Sequence, residues 1–164
     1  MNIPSDFLES ALRIFRQYRS LGERTLAQIP DEAWNHQFNP ETNSISNIIK
    51  HLHGNMLSRW TDFLTTDGEK PWRERDGEFE NLQPDKTQIM EWWHTGWDLT
   101  ENTIAALKPE DLTKTVYIRS EAHSVMDAIN RQTTHYAYHI GQIVYVAKIF
   151  VGEDWKTLTI PRKK

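Results

Sequence analysis

Cysteine does not occur in this sequence of 164 residues. That absence excludes disulfides, thiolate-ligated zinc and a thiol nucleophile of the protein's own. Long apolar runs are missing as well. No stretch approaches the ~18–20 apolar residues that a membrane span needs, so no membrane association is expected. The opening MNIPSDFLESALRIF has no basic leader followed by an apolar run. It does not read as an export signal, and a cytoplasmic location is expected. Charge of one sign is not in excess either: 19 Lys and Arg are mixed with 23 Asp and Glu, for a net charge of −4. Without a basic stripe, nucleic acid is not an expected partner. The three cations of the closing IPRKK are too few and too local to read as more than a solvated tail.

What is present is a globular composition, 38% hydrophobic with seven Trp and six Phe, long enough for a single domain over 1–164. Four segments carry a helical repeat. The first runs from about Ser5 to Gln28 with Phe7, Leu8, Leu12, Phe15, Tyr18 and Leu26 on one face, capped by Ser5 or Asp6 and closed by Pro30. The second starts at Ser44 as N-cap and is read through Leu64, with Ile45, Ile48, Ile49, Leu52, Met56, Trp60 and Phe63 as its stripe. Gly54 interrupts it at a cost of about 1 kcal/mol relative to Ala. Such a residue suits either a close approach of another group or an ordinary helix crossing. The third helix spans about Asp85 to Leu107. The fourth begins at Ser124 and ends before Gly152, as a C′ glycine predicts.

Between the second and third helices, residues 65–84 form a long polar loop. Loops beyond ~15 residues without structure are uncommon in compact domains, and Trp72 and Phe79 suggest that this one packs back. TVYI, before the fourth helix, suits a short extended piece or hairpin. The expected fold is all-α: a four-helix bundle with a long loop between helices two and three and a short extended segment before helix four.

Histidine is the enriched reactive residue, with seven copies. His135 and His139 stand four apart on the fourth helix, which places two imidazoles on one face with Cβ atoms about 5–6 Å apart. That spacing suits two ligands of one ion. It suits equally two core histidines that each bond a Tyr, a carbonyl or a carboxylate. Val125, Ala128, Ile129, Tyr136, Ile143 and Val146 mark the buried face; His139 falls within it and His135 on its flank. Gln132 adds a polar residue to the same face. A third ligand has to come from another helix, and His51 or His53 on the second are the candidates. They point about 200° apart, so only one can face the pair, and periodicity does not choose. His36, His94 and His123 read as solvated.

The stretch NSISNIIKHLHGN, followed much later by HYAYHIGQI, resembles the DinB/YfiT-like superfamily of metal-binding four-helix bundles. NMLSRWTDFLTTDGEKPWRERDGEF resembles a branch of uncharacterised bacterial proteins within it. The resemblance covers nearly the whole chain. It implies one ligand from the second helix, matching His51, and two from the fourth, matching His135 and His139, with His53 outside the motif. It also implies a thiol-dependent transferase or isomerase chemistry, and a homodimer.

Three neutral imidazoles leave open coordination positions, the arrangement of a catalytic or ligand-binding ion. The expected cofactor is one divalent metal ion, zinc or nickel before iron, copper or manganese. The expected partner is a small-molecule substrate, with a low-molecular-weight thiol as the option the resemblance implies. Asn55, Arg59 and Gln142 are candidate pocket residues: Gln142 to orient a ligand or to form a rim hydrogen bond, Arg59 to face the pocket or to pair with Asp62 on the surface. Arg73 and Arg75 are expected in a solvated loop unless that loop covers the metal. The expected function is a metal-dependent transferase or hydrolase acting on a small electrophile. The alternative is a non-catalytic metal- or ligand-binding bundle with a structural or stress-related role.

Overall fold

Every helix starts where a side chain, or a proline, deals with backbone N–H groups that have no partner within the helix. In the computed structural model, which describes residues 2–80 and 82–161, helix α1 spans Ile3–Leu26. Its first turn carries a proline, whose missing N–H needs no partner there. It therefore begins ahead of Ser5 and Asp6, and neither caps it. Helix α2 spans Ile45–Trp60, and Ser44 Oγ accepts from Asn47 N–H at 3.1 Å. Helix α3, Lys86–Ala106, is capped by Asp85 through Gln88 N–H at 2.8 Å. Helix α4, Val125–Val151, is capped by Ser124 through Asp127 N–H at 3.0 Å. It stops at Gly152, whose φ of 59° an L side chain rarely adopts. The cations Arg162, Lys163 and Lys164 lie outside the described residues.

Helix α2 is shorter than its apolar repeat predicts. Thr61 is extended and Asp62 takes φ 50°, so the chain leaves the helix although Phe63 is still buried. Periodicity reports burial, and a buried residue just past a helix end keeps the pattern going.

The four helices enclose one core, α1 against α3 and α4, and α2 against α3 and α4. Phe15, Trp60, Trp93, Trp97 and Tyr136 are its largest fully buried side chains, each contributing about 1.5–3 kcal/mol by leaving water. The fold is mostly helical but not purely so. Strand β1, Thr115–Ile118, pairs antiparallel with β2, Glu121–Ser124. Arg119 and Ser120 turn between them with φ of 54° and 64°, the backbone of a tight hairpin turn. No helix among the described residues is long and apolar enough to cross a membrane.

The long polar segment is ordered. Ser58 Oγ donates to Gly68 carbonyl at 2.7 Å, and Gly68 N–H donates to Tyr117 carbonyl at 2.8 Å. Asp67 accepts from Arg119 and Ser120 N–H at 2.9 and 2.7 Å, which clasps the loop to the hairpin tip. A short 3-10 turn, Asp76–Phe79, is held against α2 by Lys50 and Asn47, which donate to the carbonyls of Gly77 and Glu80. Phe79 packs back as expected, but Trp72 is 53% exposed.

Candidate metal centre

His51, His135 and His139 meet at one point. His51 Nε2 lies 3.2 Å from His135 Nε2, which lies 3.0 Å from His139 Nε2. Ligand atoms of all three fall within 4.8 Å of one another. His51 and His139 are buried and His135 is half-buried. His53 points elsewhere, with Nδ1 3.0 Å from Trp92 carbonyl on α3. Of the other histidines, His36 and His94 are exposed, while His123 is half-buried against Asp127.

The proton inventory of this cluster suits a cation. His51 Nδ1 stands 2.9 Å from Glu78 Oε2, an acceptor only, so it carries the proton and His51 Nε2 is bare. His139 Nδ1 donates to Gln142 Oε1 at 2.8 Å, which leaves its Nε2 bare too. Both lone pairs converge on His135 Nε2, and one proton there can serve only one of them. A metal ion accepts all three. Tetrahedral zinc with Zn–N of about 2.0–2.1 Å sets its nitrogens roughly 3.3 Å apart, close to the 3.2 and 3.0 Å that separate His135 Nε2 from its two neighbours. Burial lowers the pKa of His135 to about 3, with further lowering from His139, His51 and two arginines. Burial and His51 bring His139 to about 4. Both are therefore neutral near pH 7 and need lose no proton to bind.

Second partners fix two of these rings, those of His51 and His139, as is usual for metal-ligating histidines. Arg73 grips Glu78 with two hydrogen bonds, Nε to Oε1 at 2.7 Å and Nη2 to Oε2 at 2.9 Å. Burial pushes the Glu78 carboxyl upward, but hydrogen bonds from His51 and Arg73 outweigh it and hold Glu78 ionised. Phe79 lies along the His51 ring, centroids 4.9 Å apart. Arg73 is thus no solvated loop residue: its side chain is 2% exposed. Arg75 is half in solvent, but it too lines the cavity beside the three histidines, so the loop reaches over the site. Glu78 carried no sequence signal of its own. Its trace was Gly54, because a Cβ there would sit 2.1 Å from Glu78 Oε1.

The triad opens on a cavity of about 500 Å³ whose lining includes Asn55, Gln132, Tyr138 and five arginines: Arg59, Arg73, Arg75, Arg119 and Arg131. Every ionisable side chain in that lining is His, Arg or Tyr. Arg59 does not pair with Asp62, because α2 has ended and the i,i+3 geometry does not exist there. Instead Arg59 is 3% exposed and faces the cavity. Gln142 serves as the orienting partner of His139 and is not part of the cavity lining.

Fold and site together define a helical protein whose three buried or half-buried imidazoles can hold a metal ion. Residues 2–164 match the family described as "Protein of unknown function (DUF1572)", and the chain belongs to it. No curated protein matches the chain.

Proposed function

We propose that the protein is a metal-dependent enzyme that transfers a group between small molecules, with an external thiol as nucleophile. The observation that carries this reading is the convergence of three neutral Nε2 atoms at the edge of an open cavity. A divalent ion held by three imidazoles, zinc or nickel by preference, supplies Lewis acidity at open positions and lowers the pKa of a thiol or water there. The chain's own side chains do the rest: His51, His135 and His139 bind, Glu78 and Gln142 set two rings, and Phe79 shields one from water.

The ionisable groups of the lining are imidazole, guanidinium and phenol, so a thiol or water there would be activated by the ion itself and not by a carboxylate base. A chain without cysteine cannot supply the thiol of a transfer reaction, so that thiol is external. The DinB/YfiT-like resemblance, which includes thiol-dependent transferases, points the same way. A homodimer belongs to this reading, supported by Tyr138, Tyr145 and Ile149, all exposed along one stripe of α4. A ~19 kDa species on size exclusion would count against the dimer.

The test is elemental analysis of protein purified without chelator or metal-affinity tag, followed by thiol consumption with a chloronitrobenzene. About one ion per chain, and turnover that His135→Ala abolishes while helicity persists, support the proposal. Protein free of metal sinks it. One observation favours a second reading, a non-catalytic binding bundle: the ligands tie α2 to α4, as a structural ion would. That reading predicts a large fall in melting temperature on chelation and no turnover.

A further inference from the structure

Two helices present matching polar ladders to the cavity. On α2, His51, Asn55 and Arg59 follow at intervals of four, and on α4 so do Arg131, His135 and His139. All six line the same cavity, so each ladder carries an imidazole and, one or two turns away, a guanidinium. The arginines differ in how they are balanced. Arg73 is neutralised by Glu78, and Arg119 by Glu69 at 3.0 Å. Arg75 stands 3.8 Å from Asp76 in solvent.

Arg59 has no such ion pair, although the carboxylates of Asp67 and Glu69 flank Gly68, against which its guanidinium packs. Its Nε and Nη1 are buried without a hydrogen-bond partner, and no carboxylate pairs with it among the described residues. Burial lowers its pKa most, Tyr136 and Glu69 oppose that shift, and the charges of Arg131 and Arg73 add to it. Asn55 Oδ1 and Gln132 Oε1, in the same lining, are buried acceptors without a partner, which a donor group of a ligand, not its oxyanion, would satisfy. A buried cation without a paired counter-charge is destabilising, and a bound anion would offset that cost.

We propose that Arg59 and Arg131 form an anion subsite for the small molecule that reacts at the three imidazoles, so that this substrate or cosubstrate carries an oxyanion group. The inference deepens the proposed function and rests on it for the reaction, but not for the binding. The helical rise places the oxyanion roughly 6–12 Å from the imidazoles. The ligand is therefore a short bifunctional acid, with its reacting group at one end and a carboxylate or phosphate at the other. Guanidinium binds either oxyanion through paired charge-assisted hydrogen bonds.

The experiment is calorimetric titration with glutarate, inorganic phosphate and the uncharged glutaramide, on wild type and on Arg59→Met, Arg131→Gln and His135→Ala, with metal content measured on every sample. Glutarate or phosphate should bind wild type and glutaramide should not; the stronger anion distinguishes a carboxylate ligand from a phosphorylated one. Either arginine variant should weaken binding about tenfold or more. His135→Ala should still bind. Loss of anion binding in His135→Ala alone would place the anion on the metal and overturn the subsite. So would failure of both anions to bind wild type, or an affinity unchanged by both arginine variants. Arg59→Met keeps the aliphatic stem, so without ligand it should melt no lower than wild type; a lower melting temperature marks a structural guanidinium and also overturns the proposal. Protein that binds glutarate but carries no metal refutes the enzyme reading and leaves the subsite standing.

Discussion

Glu78 accepts the Nδ1 proton of His51 at 2.9 Å, from a position 27 residues further along the chain. The carboxylate holds the imidazole in the tautomer that leaves Nε2 free, and Arg73 holds the carboxylate. Outer partners of this kind typically change metal affinity by about 10–100-fold when removed. Glu78→Ala is therefore expected to weaken zinc binding by that factor while all three ligands stay in place. Competition with a chromophoric chelator measures it, and equal affinities for variant and wild type would show that His51 is oriented without Glu78.

Gly54→Ala provides a test of the same contact from the other side. On an isolated helix the change is worth up to ~1 kcal/mol in favour of alanine. Here the added Cβ would stand 2.1 Å from Glu78 Oε1 and 2.8 Å from its carboxyl carbon. The side chain is flexible in principle, but His51 and Arg73 fix its end. The variant is expected to bind zinc more weakly than wild type while its helical signal in circular dichroism is kept. Wild-type affinity in Gly54→Ala would mean that the glycine serves only helix packing.

Ser44, Asp85, Ser124 and Gly152 bound their helices as local rules require, because a cap acts on neighbours within four residues and is written in sequence. The pair His135 and His139 was legible for the same reason. His51 over His53 was not: both lie off the apolar stripe, and only the family resemblance preferred the one the structure places in the triad. Glu78 and Arg73 sit in a loop without periodicity, and their positions depend on long-range ties from Asn47, Lys50 and Ser58. The end of α2 was misplaced because Phe63 is buried by the turn after it, at a helical interval from Trp60.

Asp67 gives the loop a pH-dependent clasp. Burial pushes its pKa up, but N–H donors from Glu69, Ser120 and Arg119 outweigh that and hold it below the usual carboxylate value. A carboxyl whose folded pKa is depressed contributes stability that is complete above its unfolded pKa of about 3.9 and is lost as pH falls through the folded value. The carboxyl carbon of Asp67 should therefore titrate by NMR below pH ~4. Asp67→Asn should remove that step and raise amide exchange at Arg119 and Ser120. A titration at or above the ordinary aspartate value would show the clasp open in solution.

Tyr136 tests the core independently of the metal. Trp60 Nε1 donates to Tyr136 Oη at 2.9 Å, and both residues are at most 1% exposed. Trp34, Trp93 and Trp97 bury indole nitrogens that have no partner among the described residues, so this is the indole bond the core keeps. Tyr136→Phe fills nearly the same volume and leaves the Trp60 N–H without an acceptor, at an expected cost of about 1–3 kcal/mol. Its neighbour His135 lies on the cavity side of α4, so zinc affinity should not change. Urea unfolding of metal-free protein reads the first effect as a lower midpoint at constant slope, and chelator competition reads the second. An unchanged midpoint would mean that water reaches Trp60 in the core, and a large loss of zinc affinity would mean that Tyr136 holds the ligand helix in register.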